Sequence, residues 1–580
     1  MKIRILLVSL LCPLFHFLKA EDDPTLRLVF THESDGGLLF LDSLRYKSTS
    51  DETYSLSRVS YLISEIALET SSGNWVEVDT IGYIDAAKRL TSIDFLLPPN
   101  TYRSIRFNIG LPEDLNHSDP SQYPIRHALN PDYNNLHWTW ATGYIFMALE
   151  GRVIYPEGKI GGFVYHLAND VNLVPIQLPL NLFHIEHTLI EIGFDLNKVL
   201  GSPQSLSFQN DGYSTHSHKA DDIALKLVQN LLGSFQINRI QEFSPKKKST
   251  PPRPIDLPDL HTPYEFKMSR HFPMPDLPTD NPLVTERVEL GKELFFDPIL
   301  STHNTISCVT CHNPKNAFSD TRIQSTGTNS TMTRRHSMPL FNLAWKEAFF
   351  WDGRATSLRE QVFHPILALN EMGSSVDQVI KKLQAETRYK ELFEKAFNPG
   401  TITQEHIELA LENYLLTLVS YHSRFDEAIS GKTKLTKEEK RGFELFMTEY
   451  EPRSNRFGAD CFHCHGGALF TDNQFHNNGL FPSKDLGKYE YTAKNSDRFK
   501  FATPSLRNIE LTAPYMHDGS LATLEDVVAH YNSGIHNSET LDPNLAKHPP
   551  EGIQLSEADE RALVAFLKSL TDPQYLEYSP

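Results

Sequence analysis

Two different hydrophobic patterns divide the chain. In the first part, short segments such as 26–30, 58–68 and 102–109 alternate apolar and polar positions, and Gly, Asn, Asp and Pro separate them. Alternation with frequent turns is typical of antiparallel β structure. The pattern therefore predicts an all-β sandwich or barrel-like domain over residues 24–240, with one helix near residues 220–232.

In the second part, apolar positions recur at helical spacing. This spacing predicts helices at 357–369, 376–385, 404–418, 437–446, 524–530 and 557–569, so the second part is expected to be mainly α. Residues 241–284, between the two parts, are crowded with proline, which removes backbone donors and fixes φ. We interpret this stretch as a proline-rich linker.

Four of the five cysteines form two copies of one short motif. The copies are Cys308, Cys311 and His312, and Cys461, Cys464 and His465, each in the order Cys-x-x-Cys-His. This is the attachment signature of c-type haem, in which two thioethers hold the porphyrin and the histidine binds the iron. The sequence therefore predicts two cytochrome c-like lobes, at 285–430 and 431–580, each holding one haem.

The beginning of the chain and its charge agree with this chemistry. Residues 1–20, which include the fifth cysteine, carry Lys2 and Arg4, then an apolar run, then Ala20 before an acidic stretch. This order predicts a secretory signal peptide, and we expect an exported, periplasmic protein without a membrane span. The net charge of -18 argues against nucleic acid as a partner, because phosphate binding needs clustered Lys and Arg.

From residue 281 onward the sequence resembles the bacterial di-haem cytochrome c peroxidase and MauG superfamily. The matching blocks, in the family's order, are Leu290-Gly-Lys-Glu-Leu-Phe-Phe-Asp297, Phe350-Trp-Asp-Gly-Arg354, Glu371-Met372, Thr503-Pro-Ser-Leu-Arg-Asn508 and Thr512-Ala-Pro-Tyr-Met-His-Asp-Gly519. The resemblance implies a haem-dependent oxidoreductase with two covalently bound haems. It also implies that hydrogen peroxide reacts at the haem of the first motif.

The resemblance bears on the second ligand of each haem. Relatives carry a distal histidine roughly where this chain has Thr328, so the first haem is expected to be five-coordinate, with His336 as the alternative ligand. Peroxidases have a methionine where this chain has Tyr531, and MauG and its relatives share a tyrosine there. An oxygen ligand stabilises oxidised iron and suits the storage of an oxidising equivalent. The alternative is that Tyr531 packs in the core and His530 or Met516 coordinates.

Three further residues match family positions with catalytic roles. Trp351 matches the tryptophan that carries charge between the haems. Glu371 matches the acid-base residue for O–O cleavage, and Gln361 matches a residue that shapes the peroxide pocket. His336 stands where relatives often have an asparagine near an inter-haem calcium site, which leaves calcium open here.

Residues 25–240 resemble the copper-binding MbnP family. The matching segments are Val59-Ser-Tyr-Leu-Ile-Ser-Glu-Ile-Ala-Leu68, His137-Trp-Thr-Trp-Ala-Thr-Gly-Tyr144, Phe163-Val-Tyr-His166 and Ser214-Thr-His-Ser-His218. In that family a partner di-haem enzyme, MbnH, converts a tryptophan to kynurenine, which helps to bind copper. This implies that Trp138 or Trp140 is modified. Because imidazole suits copper, the candidate ligands are His137, His166, His216 and His218, with His32 behind them.

These parts combine into one hypothesis and two alternatives. The chain joins a substrate domain to its enzyme and uses hydrogen peroxide to oxidise its own tryptophan, or that of a related protein. Methylamine-dehydrogenase-maturing relatives have a surface tryptophan where this chain has Ala459, and Phe457 is hard to oxidise, so charge must leave by another path. The alternatives are a peroxidase that takes electrons from a small redox protein, and a periplasmic copper-binding protein with electron-transfer haems.

Overall fold

The computed structural model describes residues 25–139, 143–184, 187–215, 217, 221–243, 254–452, 456–480 and 484–576. The predicted signal peptide, Trp140, His216 and His218 lie outside the described residues, as does the side chain of Trp138. Among the helices in the described ranges, none has the length and apolar character needed to cross a membrane.

The first part of the chain is a β domain with five short helices among its described residues. Its strands are β1 Leu26–Ser34, β2 Gly37–Leu38, β3 Tyr46–Lys47, β4 Thr53–Thr70, β5 Trp75–Glu77, β6 Gly82–Asp85, β7 Ser92–Phe95, β8 Asn100–Ile109, β9 His137–Thr139, β10 Gly143–Ile154, β11 Ile160–Ala168, β12 Val174–His184, β13 Thr188–Asp195, β14 Ser214–Thr215 and β15 Phe235–Glu242. Its helices are α1 Glu113–Asn116, α2 Pro131–Asn134, α3 Leu196–Gly201, α4 Phe208–Asp211 and α5 Asp222–Leu231.

The strands form two sheets with a shared apolar core. The ten-stranded sheet has the order β12-β8-β4-β10-β11-β14, with β3, β5 and β6 on β4 and β9 on β10. The five-stranded sheet has the order β15-β13-β1-β2, with β7 on β1. Strand β12 alternates buried and exposed residues along its whole length, as expected for a strand with one face on the core.

The all-β prediction is confirmed, and its antiparallel pairing has exceptions. Among the described strand pairs, β1 with β13 and β11 with β14 are parallel. Parallel neighbours need a long connection, and here β1 and β13 come from opposite ends of the domain. The alternating pattern predicts strands but contains no information about this pairing.

The second part is mainly helical, as the spacing predicts. Its helices are α6 Thr285–Phe296, α7 Cys308–Cys311, α8 Leu358–Leu367, α9 Val376–Ala385, α10 Thr387–Ala396, α11 Gln404–Leu416, α12 Arg424–Ile429, α13 Lys437–Phe446, α14 Tyr489–Thr492, α15 Leu524–Ser533, α16 Pro543–Ala546, α17 Glu557–Lys568 and α18 Pro573–Leu576. Short strand pairs join β16 Tyr450–Glu451 to β17 Arg456–Phe457 and β18 Phe475–His476 to β19 Phe501–Ala502.

Two separate apolar cores in the second part have the same helix arrangement. In the first, α6 crosses α11 at Gly291, where a β-carbon would lie 2.0 Å from the carbonyl oxygen of Ala410. In the second, α13 crosses α17 at Gly442, where a β-carbon would lie 1.9 Å from the carbonyl oxygen of Ala562. Each crossing therefore requires glycine, because any side chain would push the helices apart.

The described portion of the proline-rich stretch packs against the first helical core and takes part in a separate apolar cluster shared by both parts of the chain. Phe272 shares an apolar cluster with Ile125 of the β domain, Trp345 of the first helical core region and Leu469 near the second motif. The indole Nε1 of Trp345 donates a hydrogen bond of 2.8 Å to the carbonyl oxygen of Pro273. This segment therefore holds the parts together as well as connecting them.

Candidate haem sites and the surface between the domains

The first Cys-x-x-Cys-His motif presents its histidine in one defined orientation. A capping box between Ser307 and Thr310 starts α7, and His312 follows its last residue. The Nδ1 atom of His312 lies 2.9 Å from the carbonyl oxygen of Phe318, which only accepts hydrogen bonds. Nδ1 therefore carries the proton and Nε2 carries the lone pair that an iron needs. Burial lowers the pKa of His312, which favours the neutral ring.

The second motif repeats this arrangement. The Nδ1 atom of His465 lies 3.1 Å from the carbonyl oxygen of Phe470, and burial lowers the pKa of His465 as well. Phe318 and Phe470 both have a positive φ, of 59° and 55°, which turns each carbonyl group towards its histidine. None of the four motif cysteines forms a disulfide. Two thiols and one oriented imidazole at each motif fit a covalently bound haem, which supplies redox-active iron when bound.

A cavity lies beside the second motif. Its lining distinguishes the three candidates for the second iron ligand of this haem, which are Tyr531, Met516 and His530. Cys461, Cys464 and His465 line it together with Tyr531 and Met516. The Nδ2 atom of Asn478 lies 3.3 Å from both the Tyr531 hydroxyl and the Met516 sulfur. Burial raises the pKa of Tyr531, so the phenol stays protonated unless a bound metal ion stabilises the phenolate.

His530, the third candidate, has a different environment. Its Nε2 lies 3.1 Å from the carbonyl oxygen of Asn478, and the ring is not part of the cavity wall. Of the three candidates, Tyr531 and Met516 are therefore the two that line the cavity.

Thr328 and Glu371 meet near the first motif. The backbone N–H of Thr328 donates a hydrogen bond of 2.6 Å to the carbonyl oxygen of Glu371. Gly327 makes this approach possible, because a β-carbon there would lie 2.1 Å from the carbonyl oxygen of Asn370. The buried Thr328 hydroxyl has no hydrogen-bond partner among the described residues. Burial raises the pKa of Glu371, and Arg354 opposes the shift.

Burial raises the pKa of Cys308 and Cys311, and the charge of Glu371 adds to both shifts, so Glu371 lies within electrostatic reach of the first motif. Gln361 is half-buried on α8, where its N–H bonds to the carbonyl oxygen of Ser357. The structure thus brings Glu371 and the Thr328 loop together beside the cysteines.

Trp351 lies between the two helical cores. Its indole Nε1 donates a hydrogen bond of 2.8 Å to the carbonyl oxygen of His336, and its own carbonyl oxygen accepts one of 2.8 Å from Ala502. The side chain is 9% exposed and lines the cavity of the second motif. The neighbouring Phe350 packs against the first core instead.

His336 lies behind the first motif histidine. Its Nε2 is 3.2 Å from the hydroxyl of Ser319, the residue after Phe318, and its Nδ1 is 3.1 Å from the carbonyl oxygen of Arg322. The carbonyl group of Phe318 faces Nδ1 of His312, and His336 contacts Ser319, the next residue in the chain. His336 is therefore on the Nδ1 side of His312, away from the Nε2 lone pair. This position argues against His336 as a distal ligand.

Calcium does not fit the residues around His336. Calcium takes six to eight oxygen ligands, usually with carboxylates among them. The carboxylate of Asp320 is bonded to the guanidinium of Arg322, at 2.7 and 3.0 Å, and to the Ser325 hydroxyl. The imidazole of His336 fills the space between the surrounding carbonyl groups.

The β domain contacts the second motif directly. His166 and His463, the residue before Cys464, have ring centroids 5.6 Å apart. The Nε2 of His166 lies 3.0 Å from Glu150, which also binds Arg58 at 2.8 Å. Burial raises the pKa of Glu150 but the charges of Arg58 and the histidines outweigh it, so the net pKa is lowered. The carboxylate is therefore ionised at neutral pH.

Sequence reasoning did not identify the polar cluster on the other side of this contact. Glu449 accepts a hydrogen bond of 2.8 Å from His463 and pairs with Lys547, while Asp460 pairs with His548 at 2.6 Å. Burial lowers the pKa of Lys547 to about 7. The one available signal is His463 itself, a polar residue inside a haem-attachment motif.

A second contact between the β domain and the second motif region involves His137, the residue before Trp138. One cavity is lined by His137 and Asp132 of the β domain and by His465 and Gly467 of the second motif region. A β-carbon at Gly467 would lie 3.0 Å from Asp132 Oδ1. Burial lowers the pKa of His137 to about 4 and raises the pKa of Asp132 to about 7.

The remaining copper candidate, His32, is in the main β core. Its Nε2 lies 3.3 Å from the Tyr61 hydroxyl, and burial lowers its pKa to about 4. The structure therefore brings His137 and His166 to the surface that faces the second motif, and it leaves His32 inside the domain.

Comparison with known proteins accounts for both parts. Residues 285–434 match the family model described as di-haem cytochrome c peroxidase. The methylamine utilization protein MauG of Methylorubrum extorquens is 40% identical over 297 residues, covering 50% of this chain and 80% of that protein. The chain belongs to the di-haem cytochrome c peroxidase and MauG family. This family member is therefore a haem-dependent oxidoreductase, and the two motifs correspond to its two c-type haems.

The relatives of this chain include a peroxidase as well as MauG. Cytochrome c551 peroxidase of Pseudomonas aeruginosa is 34% identical over 316 residues, covering 52% of this chain and 84% of that protein. Residues 23–218 match the MbnP family model, so the β domain is an MbnP domain. A solved structure, of a MauG-like protein associated with microbial copper homeostasis, is 32% identical with a TM-score of 0.48, covering 54% of this chain and 97% of that one.

Proposed function

We propose that this protein uses hydrogen peroxide to oxidise a tryptophan of its own MbnP domain, Trp138 or Trp140, towards kynurenine, and that the product helps to bind copper. The observation that carries the proposal is the cavity shared by His137 and His465. His137 precedes Trp138 in the chain, and His465 is the iron ligand of the second motif. The substrate segment and the second haem lobe are therefore neighbours within one chain.

The overall reaction balances with peroxide as the sole oxidant. Two molecules of hydrogen peroxide add two oxygen atoms to the indole, which becomes N-formylkynurenine, and two molecules of water leave. Hydrolysis then releases formate and leaves kynurenine. No separate reductant is required, because the tryptophan provides the electrons.

The peroxide-reacting side is assigned to Glu371 and the Thr328 loop. The raised pKa of Glu371 keeps a proton on its carboxyl group to higher pH, and that proton is the one the departing peroxide oxygen needs. Thr328 offers no nitrogen ligand, which leaves space for peroxide. Gln361, half-buried on α8, is assigned to the wall of the same pocket.

Charge then moves from one lobe to the other and into the MbnP domain. Trp351 is assigned to the first transfer, because it lines the second cavity and adjoins the first core. Tyr531 is assigned as the oxygen ligand that stabilises the oxidised state of the second haem. With Ala459 at the position of a relative's surface tryptophan, we assign the exit to the contact between Gly467 and Asp132.

The copper site is assigned to the histidines of the MbnP domain that face this surface. His137 and His166 belong to it, with His216 and His218 as further candidate ligands. We also propose a periplasmic location for the haem-binding and copper-binding parts, because residues 1–20 have the order of a signal peptide.

One observation favours a second candidate, the peroxidase reaction with a small redox protein as electron donor. Met516 lines the same cavity as Tyr531 and is the same distance from Asn478. A methionine ligand raises the haem potential and suits electron acceptance. A third possibility, copper binding with electron-transfer haems, has no comparable support.

The test is mass spectrometry of the full-length holoprotein after limiting peroxide. We expect oxygen to appear on Trp138 or Trp140 and to disappear in the matching Phe variant. The control is Trp75→Phe, which removes another indole of the same domain, one covered by the Arg106 guanidinium at 4.4 Å. The proposal fails if neither tryptophan gains oxygen while a reduced small cytochrome supports rapid peroxide turnover.

Mixing isotopically labelled and unlabelled chains distinguishes the two routes of oxidation. In the proposed route within one chain, the rate does not change on dilution, and an inactive chain mixed with an active one stays unmodified. A rate that rises with protein concentration would instead indicate oxidation of a second molecule.

A further inference from the structure

His336 occupies a junction between the two haem lobes. Its ring faces Ser319 and the carbonyl oxygen of Arg322 in the first lobe, at 3.2 and 3.1 Å. Its backbone N–H donates a hydrogen bond of 2.9 Å to the carbonyl oxygen of His517 in the second lobe. Its own carbonyl oxygen accepts the indole N–H of Trp351 at 2.8 Å. One residue therefore contacts both lobes and the tryptophan between them.

The ring is surrounded by groups that would otherwise attract a cation. Burial lowers the pKa of His336, while the carbonyl groups of Arg322, Ile323 and Thr512 oppose that shift. A carbonyl oxygen only accepts hydrogen bonds, so Nδ1 faces Arg322 as an N–H donor. The side chain is 4% exposed, so water does not compete for these oxygens.

The loops of the two lobes touch at this junction, and His336 also borders the cavity beside the second motif. A β-carbon at Gly519 would lie 3.1 Å from the Cα of Ile323, so the second-lobe loop rests on the backbone of the first lobe. The carboxylate of Asp320 is paired with the guanidinium of Arg322 at 2.7 Å. A calcium ion would need six to eight oxygens at about 2.3–2.6 Å, and the imidazole stands in their midst.

We infer that the His336 side chain replaces an inter-lobe calcium ion as the group that ties the two haem lobes together, so that this junction works without calcium. The Nδ1–H of His336 donates to the carbonyl oxygen of Arg322, an oxygen that a cation would otherwise bind. His336 is then a positioning residue for Trp351. That last role rests on the proposed function, whereas the calcium independence does not.

The test compares the wild-type holoprotein with His336→Asn, which replaces the ring by an amide oxygen. The matched control is His303→Asn, which changes an exposed histidine of the first lobe. Calcium content is measured after desalting, and Tm is measured with EGTA, with about 1 mM calcium and with about 1 mM magnesium. Neither measurement uses peroxide, so failure here is separate from failure of tryptophan oxidation.

We expect the wild type and His303→Asn to be calcium-free, with a Tm that neither EGTA nor calcium changes. His336→Asn should lose about 2–4 °C in Tm and regain it with calcium but not with magnesium, which demands a smaller octahedral site. A wild type that retains one calcium ion per chain and loses Tm in EGTA overturns the inference, and this measurement does not depend on any variant folding. A His336→Asn variant that equals the wild type under all three conditions overturns it as well.

Discussion

The contact between the MbnP domain and the second haem lobe can be tested by the substitution Gly162→Ala. A β-carbon at Gly162 on β11 would lie 2.2 Å from the carbonyl oxygen of Pro543 in the second lobe, whereas ordinary contact begins near 3.4 Å. The obstructing atom belongs to the backbone, so no side chain can rotate away. The φ of Gly162 is compatible with alanine, so Gly162→Ala acts on the interface alone.

The expected size of the effect of Gly162→Ala on tryptophan oxidation follows from the free-energy cost of overpacking. Forcing one methyl group into a packed contact costs about 1–3 kcal/mol, which changes the docking equilibrium about 5- to 150-fold. Single-turnover oxidation of Trp138 or Trp140, followed by mass spectrometry, should slow by a factor in that range. The initial reaction with peroxide, followed by stopped flow, should not change, because the contact of Gly162 is with Pro543 of the second lobe and not with the first motif. The control is Gly233→Ala, whose β-carbon meets nothing within 4 Å.

Two results would refute this reasoning. If Gly162→Ala oxidises its tryptophan at the wild-type rate, the observed docking is not the productive arrangement. If Gly233→Ala slows the reaction equally, the effect comes from the β domain and not from the interface. Small-angle scattering of both variants gives an independent measure of whether the domains separate.

Three further predictions concern the assigned residues. Tyr531→Phe should abolish tryptophan oxidation and change the absorption spectrum of the second haem, whereas Met516→Leu should do neither; the reverse result would favour the peroxidase reaction. Glu371→Gln should slow the reaction with peroxide about 100- to 10,000-fold in stopped-flow measurements, and an unchanged rate would exclude Glu371 as the proton donor. Asp132 has a raised pKa of about 7, so it holds a proton that the unfolded chain releases near pH 4. The contribution of Asp132 to the stability of the folded protein should therefore fall as pH rises from about 4 to 7, by at most about 4 kcal/mol, and the difference in stability between the wild type and Asp132→Asn in denaturant titrations should follow that slope.

Local sequence was sufficient for the element types and the haem attachment points. A Cys-x-x-Cys-His motif holds its reactive groups within five consecutive residues, so its chemistry is readable without a fold. Periodicity predicted β4, β8, α9 and α13, because apolar spacing reports which face of an element is buried. The copper and tryptophan assignments, in contrast, remain predictions, because Trp140, His216 and His218 lie outside the described residues.

Contacts between distant residues were decided by the tertiary structure alone. The carbonyl groups of Phe318 and Phe470 orient the two motif histidines through a positive φ that apolar spacing does not reveal. His166 meets His463, and His336 meets Thr512, only because separate domains and lobes pack together. A sequence records which side chains are present, but the free energy of burying them depends on partners that folding brings from elsewhere in the chain. The sequence therefore determined the two haem motifs and the type of each domain, and packing decided how those motifs face the MbnP domain.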